Sequence, residues 1–288
     1  SDVCSSDLGV VDYSGKNVLE TVGDSRSVTS TKKSITDATG SMYFDGSDYI
    51  INNSYSDQNY ALGSGSWTIE GWFYNQNVSG SSGDVYLISV WGIVGQSDTT
   101  YSQFVFRATN NNLQIVLQPT GGAGLTLITG TGNGLTANTW QHLAAVRNGN
   151  NVSLYINGIS VVSTTYTSTL NNPASRLVLG AQLSGGAGTY YYTGYMQDLR
   201  ITKFARYTGT FTPPVRTFSA TVRDIGHKQW VVNNLSVASG AGNDSLVDSP
   251  SNYGTDIGLG GEVRGNYCTL NPLWLSSSAP TQIGRAHV

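Results

Sequence analysis

Catalysis of glycosidic bond cleavage needs two carboxyl groups about 5–10 Å apart across the scissile bond, so carboxylates are the first residues to place. The 288-residue chain holds only three glutamates, Glu20, Glu70 and Glu262. None has an acidic residue two positions away, the spacing that sets two side chains on one face of a strand. Glu70 alone lies in a convincing strand, Trp67-Thr-Ile-Glu-Gly-Trp-Phe-Tyr74, where it shares a face with Thr68 and Trp72. Acyl transfer fares no better. His142 could be grouped with Asp45 or Asp198 and one of many serines, but no Gly-x-Ser-x-Gly elbow opens a helix. His142 follows Trp140 on a strand, where a structural histidine is the plainer reading. The glycine-rich Gly63-Ser-Gly-Ser66 and Gly121-Gly-Ala-Gly124 precede neither a helix nor a Lys-Ser/Thr pair, and read as turns, not phosphate cradles.

Two binding chemistries survive. Hard cations take oxygen ligands from Asp/Asn-rich loops, and Asp45, Asp48 and Asp198 are the positions predicted to hold calcium. For Asp45 and Asp48 the competing role is an Asx-type turn; for Asp198 it is an ion pair with Arg200 or Arg147. Aromatic rings on an open sheet face can stack against sugars while amides and hydroxyls reach sugar hydroxyls. Tyr190-Tyr-Tyr192 with Tyr195 is the densest such cluster; Trp72, Tyr101 and Trp91 are further candidates. In a strand Tyr190 and Tyr192 would share one face, with core packing or a cross-strand aromatic ladder as the alternative.

These residues must be positioned by strands. Charged residues make up 11% of the chain, and turn formers with 17 tyrosines dominate, which points to an all-β globular protein. Predicted strands are Ser41–Asp45, Tyr49–Ile51, Trp67–Tyr74, Val85–Trp91, Gln103–Arg107, Leu113–Leu117, Leu125–Ile128, Trp140–Arg147, Arg176–Gly180 and Thr189–Thr202. Val152 to Val162 reads as a hairpin with Asn157-Gly158 in a type I′ turn. Along the last strand Tyr195, Gln197, Leu199 and Ile201 are expected to face one way and Met196, Asp198, Arg200 and Thr202 the other. The stretch from Gly9 to Gly40 is polar and shows no strand pattern. Beyond Ile201 the alternation gives way to Phe204-Ala-Arg-Tyr-Thr-Gly-Thr-Phe-Thr-Pro-Pro214, a strand leaving its sheet and being tied down.

The ends carry a separate signal. Ile283-Gly-Arg-Ala-His-Val288 can be encoded by ATCGGAAGAGCACACGTC, whose reverse complement encodes Asp2-Val-Cys-Ser-Ser-Asp7. This is the pattern of a sequencing adapter read in both directions, so residues 1–8 and 283–288 are set aside from fold reasoning. The remainder reads as a metagenomic fragment of a longer protein. Cys268 then stands alone, and no disulfide with Cys4 is expected. Without Arg285, 14 of 15 basic residues remain; without Asp2 and Asp7, 16 of 18 acidic ones, a net charge of −2. With no basic block, nucleic acid is excluded as a partner. No apolar run reaches the 18 residues of a membrane span, so no membrane insertion is expected.

Six landmarks stand in one order: Met42-Tyr-Phe-Asp-Gly46 with Asp48-Tyr49, Trp67-Thr-Ile-Glu-Gly-Trp72, Trp140-Gln-His-Leu-Ala-Ala-Val146, Leu154-Tyr-Ile-Asn-Gly158, Leu177–Gly180, and the segment Gly194–Pro214. Together they resemble laminin-G-like (LamG) domains of the concanavalin A-like lectin/glucanase type, particularly those of tailed-phage structural proteins. The resemblance covers about Gly9 to Ser219. It implies a two-sheet antiparallel jelly-roll sandwich over residues 9–219, with the family's first strand missing. It also implies a calcium ion, and a non-catalytic glycan- or surface-binding role in a phage tail or virion. The Glu-x-Asp-x-(x)-Glu pattern of the jelly-roll glucanases is absent. Residues 220–282 resemble the lead-in to a second, SPRY-like lectin domain, and are expected to form a loosely structured connector. The implied partners are a glycan or cell-surface receptor and other virion proteins, on the particle surface or otherwise extracellular. Two other roles are carried forward: a structural spacer, and an accessory carbohydrate-binding domain of a polysaccharide-degrading enzyme.

Overall fold

The computed structural model describes residues 17–52, 60–77, 84–92, 102–121, 124–130, 132, 134–172, 175–184 and 187–218. All belong to the first of two compact units, Ser1–His227; the second, Lys228–Val288, lies outside the described residues. So do both adapter-like ends, the connector 220–282, Cys268 and Tyr101.

Among the described residues sixteen strands follow in chain order: β1 (Leu19–Val22), β2 (Arg26–Val28), β3 (Ser41–Asp45), β4 (Tyr49–Asn52), β5 (Trp67–Asn75), β6 (Asp84–Trp91), β7 (Ser102–Thr109), β8 (Asn112–Leu117), β9 (Thr126–Thr129), β10 (Trp140–Asn148), β11 (Asn151–Ile156), β12 (Ile159–Thr165), β13 (Leu177–Leu179), β14 (Gln182–Ser184), β15 (Ala187–Thr189) and β16 (Thr193–Thr202). One seven-stranded sheet runs β1-β4-β13-β6-β7-β8-β9, the other β12-β11-β10-β5-β16-β3-β2, and β14–β15 form a small hairpin. Their facing sides enclose one core in which Trp67, Ile69 and Phe73 of β5 meet Leu87, Phe104, Phe106 and Ile115. Sheets that are apolar on one face can bury it only against a second layer, which is why the chain closes as an antiparallel all-β sandwich.

Local signals work as expected at the β11–β12 turn. Asn157 and Gly158 both take positive φ, 51° and 80°, the requirement of a type I′ turn. The segment after β16 is tied back onto that turn, since the Phe211 amide donates to the Gly158 carbonyl at 3.0 Å. It is fastened again where Thr36 and Thr217 exchange backbone bonds with Val215 and Thr36. At the inner end of β10 the buried Arg147 donates to the carbonyls of Gly149, Gly63, Ser168 and Tyr166. It clamps loops and does not pair with Asp198.

Three expectations need correction. Thr189–Thr202 is not one strand: Tyr190 has φ 54° and breaks β15 from β16, so Tyr190 and Tyr192 do not share a strand face. Strict alternation within β16 fails after Gln197. There the register jumps from Gln197↔Trp72 to Arg200↔Glu70. Asp198 (φ 56°) and Leu199 sit opposite Gly71 alone, forming a bulge that turns Leu199 and Ile201 toward the core. The polar stretch before Gly40 contains β1 and β2. Both are short and largely exposed, and are held by pairing to β4 and β3, so no alternation marks them.

Candidate functional site

The outer face of the second sheet is best followed along β5, whose outward residues are Tyr74, Trp72, Glu70 and Thr68 in turn. At the Tyr74 end the register lines up five strands: Arg26↔Tyr43, Tyr43↔Tyr195, Tyr195↔Tyr74 and Tyr74↔Trp140. Ring centroids step by 5.0 Å from Tyr43 to Tyr195, 5.6 Å to Tyr74 and 5.7 Å to Trp140, and the Arg26 guanidinium lies 4.8 Å over Tyr43. All four rings are partly exposed. The result is a row of aromatics running across the strands, one ring per strand, on a solvent-facing sheet.

One row further in, Trp72 is buried. Lys33 Nζ stands 4.7 Å over its ring, and Gln197 locks Lys33 in place by accepting from its amide at 2.9 Å and donating to its carbonyl at 3.3 Å. His142 packs edge-on against the same indole, 5.3 Å away.

Glu70 comes next and is fully buried. Its Oε1 accepts from Arg200 Nε and Nη2 at 2.9 and 2.7 Å, its Oε2 accepts from the Tyr207 hydroxyl at 2.7 Å, and His142 Nε2 lies 3.2 Å from Oε2. Arg206 Nε stands 3.6 Å from Oε1. Burial alone would raise this carboxyl, but the His142, Arg200 and Tyr207 contacts outweigh it and hold Glu70 below the ordinary carboxylate range. The Tyr207 hydroxyl, burdened by burial and by the neighbouring carboxylate, is shifted well upward. Tyr207 stacks on Phe211 at 3.5 Å and Phe211 packs on Tyr155, sealing the cluster beneath the segment after β16. Thr68 finishes the seal by donating to the Phe204 carbonyl and accepting from the Arg206 amide, both at 3.0 Å. A charge-compensated, water-excluded carboxylate is a structural tie. The carboxylate that feels its charge, Asp198, is itself occupied, accepting the Phe218 amide with both oxygens.

An acidic trio lies beside the Arg26 end of the aromatic row. Asp24, Asp45 and Asp48 each offer a carboxylate oxygen within 4.8 Å of the others. Gly23 (φ 87°) allows the approach, since a Cβ there would press on Asp48 Cβ. Ser47 bonds from hydroxyl and amide hold Asp45 below its usual range, whereas burial pushes Asp48 up to about 6. Asp48 Oδ1 accepts the Asp45 amide at 3.0 Å, but its buried Oδ2 has no hydrogen-bond partner. Three hard oxygen ligands, one of them buried and orphaned, fit a calcium ion, with oxygens close enough to share one at 2.3–2.6 Å.

The predicted site residues therefore separate. Tyr195 lies in the open row. Tyr190, 39% exposed, stacks at 4.9 Å on Tyr86, which belongs to the other sheet. Tyr192 is fully buried against Phe44 and Phe73, with its hydroxyl donating to the Tyr195 carbonyl, so it fills the core and cannot reach a ligand. Trp72 and Trp91 are buried too. Asp45 and Asp48 are brought together, joined by Asp24 in the place expected for Asp198. Asp198 instead accepts the Phe218 amide with both oxygens at 2.9 Å, and burial raises it to about 6. Sequence reasoning missed Tyr43, Tyr74, Trp140 and Asp24. Tyr43, Tyr74 and Trp140 were visible as outward positions of predicted strands, but their alignment exists only in the register.

A laminin G-type family model, described as the Concanavalin A-like lectin/glucanases superfamily, matches residues 44–208. No curated protein sequence matches the chain. Among solved structures, the chain is similar to the Ruminococcus gnavus IT-sialidase CBM40 bound to α2,3-sialyllactose, with 12% identity over 58% of this chain and 91% of that one, at a TM-score of 0.48. It is also similar to the botulinum neurotoxin serotype D binding domain, with 18% identity over 70% of this chain and 46% of that one, at a TM-score of 0.49. The chain thus spans less than half of that binding domain.

Proposed function

The chain belongs to the Concanavalin A-like lectin/glucanases superfamily, and from that premise we propose that it is a non-catalytic glycan- or surface-binding module of a phage tail or virion protein, attaching the particle to host or environmental polysaccharide. The observation that carries the reading is the partly exposed row Tyr43–Tyr195–Tyr74–Trp140. Contiguous aromatic rings left open to water on an otherwise weakly charged surface mark a contact site, and rings bearing hydroxyl or indole N–H groups suit sugars. The sealing of Glu70 supports the non-catalytic half of the reading. Weak single-site affinity, raised by repeated display on a particle, fits an attachment role.

In this reading Asp24, Asp45 and Asp48 hold calcium, which supplies positive charge to the orphaned Asp48 oxygen and fixes the loop beside the row. The phage assignment draws on the landmarks of Gly194–Pro214 and the lead-in after Ser219, and neighbouring genes on the source contig test it. Glycan binding is tested by applying the full chain to an array of bacterial and environmental glycans beside its Tyr195→Ala variant. Binding that drops in the variant supports attachment; a silent array supports a spacer.

A further inference from the structure

The geometry points to a particular ligand class for this surface: a single extended, uncharged, β-linked polysaccharide chain lying across the strands from Trp140 to Tyr43, about one sugar to each strand. The inference rests on the glycan-binding reading above and narrows it.

Spacing is the first support. Because the four rings are register partners on adjacent strands, they repeat at 5.0, 5.6 and 5.7 Å, close to the strand separation of ~4.8 Å. An extended β-linked pyranose chain advances by about one such step per sugar, whereas an α-linked chain coils away from a straight row. Ring orientation is the second. Tyr43 and Tyr195 are tilted by 43°, Tyr195 and Tyr74 stand at 79° and Tyr74 and Trp140 at 62°, so successive rings turn out of one plane. Such a row is no flat plate for a crystalline surface. It offers a face for stacking and then an edge or hydroxyl for hydrogen bonding, which suits the alternating sides of a single chain.

Charge is the third. The cation of the row, Arg26, is held by Asp24 at 3.2 Å, and the acidic trio crowds that end. With calcium in the trio, the three carboxylates, the ion and Arg26 sum to zero, so no net charge is left at that end to draw an anionic sugar, which suits a neutral ligand. Length follows from the topology. At one end the row stops at β2, the edge of its sheet. At the other, Trp140 lies beyond the pairing of β10 with β11, which begins at Leu143↔Ile156, so no further strand among the described residues extends the row. Four rings leave room for about four sugars.

Calorimetry on the full chain with neutral β-1,4-linked oligosaccharides of one to six units tests this, with α-1,4-linked and uronic-acid oligosaccharides as comparators. Affinity is expected to rise with each unit and to level off near four. Tyr74→Ala and Trp140→Ala should each weaken tetrasaccharide binding about tenfold or more, and Tyr74→Phe should keep most of it. If an alanine variant fails to fold, the length profile of the unaltered chain decides alone. Binding complete with a mono- or disaccharide, or a preference for α-linked or uronic chains, overturns this inference and leaves glycan binding standing. No binding to any glycan overturns both.

Discussion

Glu70→Ala removes the most connected side chain on the outer face of the second sheet. In the folded protein its carboxylate is fully buried and satisfies the Arg200 guanidinium, the Tyr207 hydroxyl and the adjacent His142 ring at 2.7–3.2 Å. Deleting one member of a buried charged cluster leaves the rest uncompensated and costs about 3–5 kcal/mol. For a domain of this size each kcal/mol lowers Tm by about 2–4 °C, so the expected loss is about 6–20 °C. Glu70→Gln keeps the shape and some of the hydrogen bonds, and should lose less, about 1–3 kcal/mol. The contacts lower the Glu70 pKa in the folded state. The stabilisation is therefore complete above the unfolded carboxyl pKa and is lost as pH falls through the folded one. The gap between the unaltered chain and Glu70→Ala should accordingly close in acid, below about pH 4. Thermal unfolding followed by near-UV circular dichroism at several pH values measures all of this. Glycan binding by the Gln variant should be unchanged, because the aromatic row lies one register step beyond Trp72. A loss under 1 kcal/mol for Glu70→Ala would refute the structural role. Hydrolysis of a β-glucan that disappears in Glu70→Gln would make Glu70 catalytic and end the non-enzymatic reading.

Asp198 is raised to about 6 by burial, so its protonated form stabilises the fold at low pH and that contribution is lost as pH rises through about 6; Asp198→Asn should flatten this part of the Tm profile between pH 4 and 7.5, and an unchanged slope would count against it. Gly158→Ala forces a side chain into positive φ and against the Phe211 carbonyl, for an expected cost of about 1–3 kcal/mol. Hydrogen exchange should then rise at Tyr207 and Phe211; equal protection in the variant would show that the latch does not depend on the turn. Calcium at millimolar concentration should raise Tm at pH 7.5 relative to EDTA and should not do so in Asp48→Asn; identical melting with and without calcium dismisses the ion.

Much of the fold was legible because its cause is local. Trp67, Ile69 and Phe73 alternate with Thr68, Glu70 and Trp72, and that period alone puts the first set in the core. Asn157-Gly158 carries its turn type in two residues. What could not be read is what pairing creates. The bulge at Asp198–Leu199 depends on β5 presenting Gly71 opposite, and it exchanges the faces that simple alternation assigns to Leu199, Arg200 and Ile201. Tyr190-Tyr-Tyr192 looked like a platform because three tyrosines adjoin, yet a single positive φ at Tyr190 sends Tyr192 into the core. Asp24 and Asp48 are 24 positions apart and meet only because Gly23 permits close contact. The working row draws one ring from each of four strands that are scattered from Tyr43 to Tyr195 in sequence.

Along β5 the outward residues pass from open to sealed within four alternate positions. Tyr74 is partly exposed, Trp72 is covered by Lys33, Glu70 is closed in by Tyr207, and Thr68 is bonded on both sides to the segment 204–206. The same strand thus supplies both the proposed ligand surface and the anchor for the chain leaving the sheet. This division argues against Glu70 as a catalyst. To meet a substrate, Glu70 would have to shed Arg200 and Tyr207 and expose the apolar contacts of Tyr207 and Phe211 with Ala144, Val146 and Tyr155. Asp198, the carboxylate near it, would also have to give up the Phe218 amide that both its oxygens accept. The open end, by contrast, needs no rearrangement, since its rings are already spaced by the strands that carry them. As folded, this face is suited to the binding role proposed for it.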